Sequence, residues 1–228
     1  MSVVQRVCCV LMVCCCLSGL RVWAQGAGRI SGELLSKERQ PNGQFVLNAG
    51  KFYYDTQVRQ LIYQIRFPAR ETVVAQDTLL YRFQKDKLIQ RLSSMSAPAL
   101  SLFHLALINQ LKSFGLKPPY YTIETVEKEG DRVFVTYTPD KALSSFGRVK
   151  LAQRNNRLEG VVFLDKKGAI IAKQFFKNYV TVGGIVFPQE VTIESVRNGK
   201  SYYQITTYKN IVVNDFRDQT SYRHALPK

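Results

Sequence analysis

The sequence predicts a mainly β protein, a large curved antiparallel sheet or an open barrel, accompanied by one helix. Three observations support this fold class. Short strand-like segments separated by turn residues fill both halves of the chain. One long apolar segment between the two halves has the length and flanking signals of a helix. The chain contains no linker, low-complexity tract or fixed-period repeat, which indicates a single folded domain.

The strand-like segments follow one another in antiparallel succession. Val58 to Phe67 has the clearest alternation, which places Leu61, Tyr63, Ile65 and Phe67 on one face and polar residues on the other. Turn signals separate the segments, and the strongest of them are Pro41-Asn42-Gly43, Glu129-Gly130, Asn155-Asn156 and Asn198-Gly199. The whole pattern predicts about eleven strands.

The predicted helix spans residues 97–114. Ser96 can cap it, Pro98 suits its first turn, and Gly115 ends it. The stretch from Ala99 to Leu111 is apolar on almost every side, whereas a helix lying on the surface of a core needs only one apolar stripe. We therefore expect this helix to be enclosed, or to meet an apolar ligand with one of its faces.

The first 24 residues have the composition of a secretory signal peptide. Arg6 supplies the positive charge, Val7 to Leu20 forms an apolar stretch of 14 residues, and cleavage is expected after Ala24. A retained membrane anchor is the alternative, but a spanning helix needs about 20 apolar residues. The functional unit is then one domain over residues 25–228, exported from the cytosol.

Removal of the signal peptide changes what chemistry is available. All five cysteines lie within residues 8–16, so residues 25–228 contain none. A disulfide, a thiolate nucleophile and a cysteine metal site are thereby excluded from the mature chain. The only tryptophan, Trp23, is removed as well.

The mature chain is strongly basic. Two of the 32 Lys and Arg residues lie in the signal peptide, which leaves 30 against 17 Asp and Glu and a net charge of +13. Outside the cytosol this excess favours an anionic membrane surface, an anionic lipid or an acidic protein as partner, and no nucleic acid. A surface charge that only keeps the protein soluble is the alternative, because the basic residues form no block.

The sequence offers no catalytic constellation. Its two histidines are His104, in the apolar segment, and His224, in a polar tail that is expected to be mobile. A buried histidine bonded to a neighbour is the better interpretation of His104. Motifs for a nucleophile elbow, a zinc protease or a phosphate loop are missing, and the carboxylates show no close pairing. We therefore predict no enzyme activity, no cofactor and no metal site.

Short phrases rich in glycine, aromatic residues and proline occur in a fixed order between Ile30 and Asp215. They are Gly50-Lys-Phe-Tyr-Tyr54, Leu61-Ile-Tyr63, Pro68, Thr78-Leu-Leu-Tyr81, Tyr137-Thr-Pro139, Gly184-Ile-Val-Phe-Pro-Gln189 and Tyr208-Lys-Asn-Ile-Val-Val-Asn214. Behind a signal peptide, this order resembles the LolA-like family of outer-membrane lipoprotein carriers and lipoprotein-sorting proteins.

The resemblance implies both a fold and a function. The fold is an incomplete (half-open) antiparallel β-barrel with one or more helices covering its concave apolar face. The function is a soluble periplasmic carrier that holds the acyl chains of lipoproteins, or related lipids, and moves them toward the outer membrane. The implied partners are acylated lipoproteins or lipids, an inner-membrane release complex and an outer-membrane acceptor, and the implied state is a monomer.

Two features depart from the family pattern. The family opens with an amphipathic helix before its first strand, but only Gln25 to Gly28 is available here. Carrier members also place an arginine after the Gly-x-aromatic strand, where it secures the lid. The matching stretch here is Asp55-Thr56-Gln57, and Arg59 is expected on a different face or turn.

Apolar residues of the sheet and helix are the predicted ligand contacts. They are Phe52, Tyr54, Leu61, Tyr63, Ile65, Phe67, Phe103 and Leu107. Each of them can equally be an ordinary core residue, because aromatic side chains favour strands and supply large buried area. Taken together, they suit a hydrophobic cavity, since a half-open barrel cannot fill its own concave face.

Two further functions remain compatible with the sequence. The same fold can act as a lipid-sensing or partner-sensing envelope module without transport activity, and the missing lid arginine favours this alternative. A structural envelope protein with its basic surface on an anionic membrane is the other.

Overall fold

The computed structural model describes residues 28–40, 42–93, 101–143, 146–197 and 200–227, which form one antiparallel sheet. The sheet has thirteen strands, more than the eleven or so that the turn signals predict. The strands are β1 (Arg29–Arg39), β2 (Phe45–Asp55), β3 (Gln60–Phe67), β4 (Glu71–Gln76), β5 (Leu79–Gln84), β6 (Lys87–Ser93), β7 (Tyr121–Glu129), β8 (Arg132–Pro139), β9 (Val149–Arg154), β10 (Arg157–Leu164), β11 (Ile170–Val182), β12 (Ile185–Arg197) and β13 (Lys200–Val213).

The order of the strands explains why the sheet stays open. Neighbours run β6-β5-β4-β3-β2-β1-β13-β12-β11-β10-β9-β8-β7, so each half is a chain of hairpins and the β1–β13 pair joins the halves. β6 and β7 are consecutive along the chain but lie at opposite edges. The predicted open antiparallel sheet is therefore confirmed, and the connection from β6 to β7 has to cross from one edge to the other.

Alternation along β1 defines two faces of the sheet. Leu34 and Ser36 are buried, whereas Leu35 and Lys37 are exposed. Because successive strand residues point to opposite sides, the buried set marks an inner face and the exposed set an outer face. In the connection between β6 and β7, residues 102–107 lie on the inner face, where they contact β1 and β12.

The one α-helix in the described ranges, α1 (Leu102–Leu107), is shorter than the predicted helix over residues 97–114. Ser101 caps it, while the predicted Ser96 and Pro98 lie outside the described residues, as do residues 1–27 and the Asn198-Gly199 turn. Asn109 has a positive φ of 55°, and the amides of Asn109 and Gln110 bond to the carbonyls of Ala106 and Leu105. This Schellman arrangement ends the helix early.

A second turn of the same kind follows at once. Phe114 and Gly115 both have positive φ, and their amides bond to the carbonyls of Leu111 and Gln110. The predicted helix is therefore wrong beyond Leu107, because two turns with left-handed residues at Asn109, Phe114 and Gly115 redirect the chain. We call residues 101–116 the lid segment. Within the described ranges, no helix is both long and apolar enough to cross a membrane.

The main hydrophobic core lies between the inner face and the lid segment. It takes residues from both halves of the sheet and from the lid, and its largest members are fully buried: Ile30, Phe52, Tyr54, Phe103, Leu105, Leu151, Leu158, Val161 and Phe187. The prediction that the apolar segment is enclosed is borne out for Phe103, Leu105, Ala106 and Leu107, all of which are buried.

A second, smaller core lies on the outer face beneath the C-terminal segment. Ile62, Val74, Tyr81 and Phe83 form it, and Leu226 packs against it. We call residues 214–227 the C-terminal strap. The strap adds Tyr222, which packs edge-on against Tyr53, and His224, whose ring lies 4.4 Å from that of Phe83.

The strap is also held by polar contacts. Gln60 donates a hydrogen bond to the carbonyl of His224 at 3.0 Å and accepts one from its amide at 2.8 Å. The tail at His224 is therefore anchored to the sheet, in place of the free tail that its polar sequence suggests. Nearby, Arg29 and Asp55 form a buried ion pair with 2.6 Å between Nε and Oδ2. The Arg29 guanidinium lies over the Tyr222 ring.

Candidate functional site, an apolar inner face beneath the lid segment

Phe103 of the lid segment occupies the centre of an aromatic cluster on the inner face. Its ring stacks on Phe52 with centroids 4.4 Å apart and lies nearly parallel to Phe187 at 5.8 Å. Tyr208 meets it edge-on at 5.5 Å, and Tyr63 lies at 6.4 Å. The cluster joins β2 and β3 to β12 and β13 through one lid side chain, so we call Phe103 the plug of the inner face.

A glycine lets the cluster form close to the sheet. Gly32 pairs with Phe52 across β1 and β2. A Cβ at residue 32 would lie 2.9 Å from the Phe52 ring and 2.9 Å from the Lys209 carbonyl oxygen. The missing side chain therefore allows the Phe52 ring to lie over β1, where Phe103 can stack on it.

One hydrogen bond fixes the lid to this half of the sheet. The Tyr54 hydroxyl lies 2.7 Å from His104 Nδ1, and the two rings meet edge-on. Burial lowers the pKa of His104, and the positive charge of Arg59 lowers it further. Burial also raises the pKa of Tyr54 to about 12, against an opposing effect of Arg59. With both groups neutral, the Tyr54 hydroxyl can donate a hydrogen bond to an unprotonated Nδ1 of His104.

Arg59 places a charge near this latch. It lies in the turn between β2 and β3, has a positive φ of 55° and is exposed. Its charge acts on both Tyr54 and His104. The sequence pattern predicted Arg59 on a different face or turn. In the structure it lies in the turn between β2 and β3, and its charge acts on His104 of the lid.

The far end of the lid segment is attached to the other half of the sheet. Phe114 packs against Phe163 at 5.8 Å and Phe176 at 6.1 Å between ring centroids. The Gln153 side chain donates a hydrogen bond of 2.9 Å to the Lys112 carbonyl, and the Lys112 ammonium contacts the Asn156 side chain. The lid thus bridges the two hairpin arrays across the inner face.

Seven of the eight predicted contact residues lie on the inner face or in the lid above it. Phe52, Tyr54, Leu61, Phe103 and Leu107 are buried there, and Tyr63 and Ile65 pack against the same core. A role in ligand binding remains a prediction for all seven residues.

The placement of Phe67 is wrong. The register between β2 and β3 shifts so that Gly50 pairs with Ile65 and Ala49 with Phe67, which leaves Arg66 as an extra residue. This bulge turns Phe67 to the outer face, where its side chain is exposed.

Two residues of the cluster were missed from the sequence. Phe187 and Tyr208 fall within the short phrases that resemble the carrier family, yet neither was named as a contact. The signal that could have found them is the alternation of β12 and β13, in which Phe187 and Val191, and Thr206 and Tyr208, share the buried face.

A groove opens beside the lid segment. It has a volume of about 330 Å³, and Ala106, Leu111, Asn156, Tyr179 and Val186 contribute to its walls. The Tyr179 hydroxyl donates a 2.6 Å hydrogen bond to the Leu158 carbonyl, which fixes one wall. Because lid residues form part of its walls, the groove is the candidate entrance to the inner face.

The described residues contain no group of three or more His, Cys, Asp or Glu side chains that could hold a metal ion. His104 and His224 are both engaged, the first with Tyr54 and the second with Phe83. The chemistry of the inner face is therefore apolar contact with a few hydroxyl and amide groups around it.

No protein-family model and no curated protein matches the chain. Solved structures do resemble it over most of its length. A LolA superfamily protein from Nitrosomonas europaea aligns with a TM-score of 0.56 and 14% identity, over 83% of this chain and 87% of that one.

Two further structures share the fold. A DUF1329 family protein from Desulfovibrio piger gives a TM-score of 0.60 and 15% identity, over 88% of this chain and 91% of that one. A domain assigned to outer membrane lipoprotein sorting, from Vibrio parahaemolyticus, gives 0.59 and 10% identity, over 87% and 90%. At these identities the likeness concerns the fold, and the fold is LolA-like.

Proposed function

From this LolA-like fold we propose that the protein is an exported carrier that binds the acyl chains of lipoproteins, or related lipids, on its inner face. The lid segment covers that face in the absence of cargo and moves aside when cargo enters. The chain then carries its cargo through the periplasm toward the outer membrane. No catalytic step, cofactor or nucleic acid has a place in this function.

The position of Phe103 carries the proposal. The ring stacks in a pocket of aromatic side chains drawn from four strands, although its own backbone belongs to a segment that crosses the sheet. A side chain of the lid thus occupies the space that an acyl chain would need. Aromatic and aliphatic walls with few polar groups are typical of sites for hydrophobic ligands.

The energetics allow exchange of the lid for cargo. Burial of an acyl chain of ~14 CH₂ groups contributes roughly 11 kcal/mol before entropy costs. Withdrawal of one buried phenylalanine costs about 3–5 kcal/mol. The burial of an acyl chain therefore more than offsets the withdrawal of Phe103 itself, while the empty protein keeps its apolar face covered.

The latch between Tyr54 and His104 takes the place of the lid arginine that carrier members have. Here the positive charge of Arg59 acts on the latch from the neighbouring turn. A single hydrogen bond contributes about 1 kcal/mol, which suits a lid that has to open during each transport cycle.

Export completes the proposal. Residues 1–24 direct the chain out of the cytosol and are removed after Ala24, so that residues 25–228 act as one soluble domain, a monomer with partners in both membranes. With the signal peptide removed, the mature chain contains no cysteine.

Mass spectrometry of the protein purified from its own host tests the proposal. We expect a fraction of the native protein to carry an additional mass that chloroform–methanol extraction releases as an acylated species. Protein that is always free of such species would contradict the carrier function.

A matched pair of variants addresses the site. Leu107 is a buried residue of the lid segment, whereas Ile171 is exposed on the outer face. Leu107→Glu should impair uptake of a fluorescent fatty acid more than Ile171→Glu does, with circular dichroism to establish that both variants fold. Equal effects would contradict the assignment of the inner face.

A second function is favoured by one observation, namely that the lid's own side chains fill the centre of the inner face. A module that senses a partner protein would need no vacant cavity. This function predicts a stable complex with one envelope protein, together with no delivery of lipoprotein to membranes in a transfer assay.

A further inference from the structure

The outer face of β1, β2 and β3 presents a patch of alternating cations and large apolar side chains. Lys37 pairs with Leu47, Arg39 pairs with Phe45, and Ala49 lies between Leu35 and Phe67. The four apolar members are exposed by 42% (Leu35), 60% (Phe45), 40% (Leu47) and 51% (Phe67). We call these six residues the outer patch: Leu35, Lys37, Arg39, Phe45, Leu47 and Phe67.

The cations of the outer patch are not neutralised by the protein. Among the described residues, neither Lys37 nor Arg39 forms an ion pair, and the Lys37 ammonium lies 4.5 Å from the centre of the Phe45 ring. The neighbouring outer surface of β11 and β12 differs, because Lys173 and Lys177 there face Glu194 and Glu190 at 3.9 and 3.8 Å.

A basic groove adjoins the outer patch. It has a volume of about 290 Å³. Its walls include three basic residues, Lys51, Arg66 and Lys209, and one acidic residue, Glu33. Glu33 accepts a hydrogen bond from the Asn210 side chain at 2.9 Å. The groove therefore has an excess of two positive charges next to an exposed apolar surface.

We propose that the outer patch and this groove dock the protein on the surface of a bilayer that contains anionic lipids. Lysine and arginine side chains reach headgroup phosphates, while phenylalanine and leucine side chains enter the boundary between headgroups and acyl chains. The net charge of the chain has the sign that this requires.

A bilayer fits the arrangement better than an acidic protein does. The apolar side chains stand out from the strands next to the cations, so a soft interface can take up both kinds of group at the same depth. The lid segment lies on the opposite face of the sheet, so docking leaves it free to move. The inference goes beyond the carrier function, since it concerns a different surface and does not need cargo.

Vesicle flotation with the full chain tests the inference. We expect binding to phosphatidylcholine vesicles that contain phosphatidylglycerol and little binding to phosphatidylcholine alone. Binding should be lost as added salt shortens the Debye length below about 8–10 Å. Each basic residue near an anionic surface contributes roughly a fivefold factor in affinity, so Lys37→Glu with Arg39→Glu should weaken binding by about 25-fold or more.

A control with the same change of charge separates the patch from net charge. Lys128→Glu with Lys150→Glu alters two exposed lysines on β7 and β9, far along the sheet from the outer patch. This variant should keep most of the binding. Phe45→Ser, which changes an exposed side chain, should weaken binding without a change in charge.

Three results would overturn the inference. They are equal losses in the two charge variants, unchanged binding in Phe45→Ser, and a wild-type chain that ignores phosphatidylglycerol vesicles but binds an acidic protein. Uptake of a fluorescent fatty acid from solution should be the same in the Lys37→Glu, Arg39→Glu variant and the wild type, so a failure of docking and a failure of carriage are distinguishable.

Discussion

The contact between Tyr54 and His104 is the place where the chemistry of single residues affects the lid most directly. Their hydrogen bond joins a strand to the lid, and the surroundings keep both groups neutral, since burial raises one pKa and lowers the other. Arg59 and Asp55 act on Tyr54 in opposite directions, whereas Arg59 alone adds to the effect of burial on His104. The latch is therefore sensitive both to substitution and to pH.

Tyr54→Phe removes the hydroxyl and keeps the ring. The closed lid should lose about 1 kcal/mol, the usual net contribution of one hydrogen bond. Hydrogen exchange of the amides in residues 101–116 measures this loss as faster exchange of the lid, with little change in β8 and β9. Exchange that is unchanged in the lid would show that the latch does not hold it.

The pH dependence follows from the lowered pKa of His104. Since the closed state favours the neutral imidazole, closure is fully stabilised above the ordinary histidine pKa of about 6.5 and weakens as the pH falls through the lowered value. Acidification should therefore raise the rate of fatty acid uptake. In His104→Asn, which keeps an acceptor near the Nδ1 position and does not titrate, the rate should vary less with pH. The same pH profile in both proteins would contradict this.

At the residue scale, seven of the eight residues predicted as ligand contacts lie on the inner face or in the lid, and their contact with a ligand stays a prediction. Alternation was sufficient to place Leu61, Tyr63 and Ile65 on one face, because successive side chains of a pleated strand point to opposite sides. It failed at Phe67, because a bulge at Arg66 moves the register by one residue and nothing in the local composition marks that bulge.

Among the elements, the lid segment and the C-terminal strap cover opposite faces of the sheet. The lid inserts Phe103 into the inner core, and the strap inserts Tyr222 beside Arg29 and Tyr53 on the outer face. Both segments lie outside the strands, yet each supplies a fully buried aromatic ring. Their removal should have different consequences, because only the lid lies over the candidate binding face.

Phe103→Ala should destabilise the protein by about 3–5 kcal/mol and, at the same time, raise fatty acid uptake, because the plug no longer competes with the ligand. Phe83→Ala is the matched control, since Phe83 is also buried but belongs to the outer core. It should lower stability without a gain in uptake. Urea denaturation and a fluorescent fatty acid measure the two effects, and a gain in both variants would contradict the role of the plug.

Tyr222→Ala tests the strap. The loss of a buried aromatic side chain should cost about 3–5 kcal/mol in the free energy of unfolding. Tyr120→Ala, at an exposed position, should stay within about 0.5 kcal/mol of the wild type. Urea denaturation of both variants is the measurement, and equal midpoints would show that the strap does not stabilise the sheet.

The elements were predictable to different degrees. Strand bounds follow turn residues: the predicted turn at Asn155-Asn156 separates β9 from β10, and Gly130 lies between β7 and β8. The helix was overestimated because apolar content and the stop signal at Gly115 hid the left-handed conformation of Asn109 and Phe114. The position of the strap could not be inferred, since its contacts with Gln60 and Phe83 are distant in sequence.

For the whole molecule, the order of the strands explains why there is a lid at all. β6 and β7 lie at opposite edges of the sheet, so the chain between them has to cross one face. The lid segment takes part in that crossing over the apolar face. Because the chain continues to β6 on one side and to β7 on the other, the lid can move away from the face and stay attached to the sheet. The sequence predicted an open sheet with a covering helix, but the pairing of β1 with β13 depends on contacts between the chain ends.

A reversible disulfide lock tests most directly whether cargo enters beneath the lid. Residues 25–228 contain no cysteine, so Lys112→Cys with Asn156→Cys introduces one pair where the lid meets the β9–β10 turn. A second pair, Glu124→Cys with Thr138→Cys, joins β7 to β8 away from the lid and serves as the control. Fatty acid uptake should be blocked in the oxidised lid pair, restored on reduction, and unaffected by oxidation of the control. Full uptake with the lid disulfide closed would contradict the account.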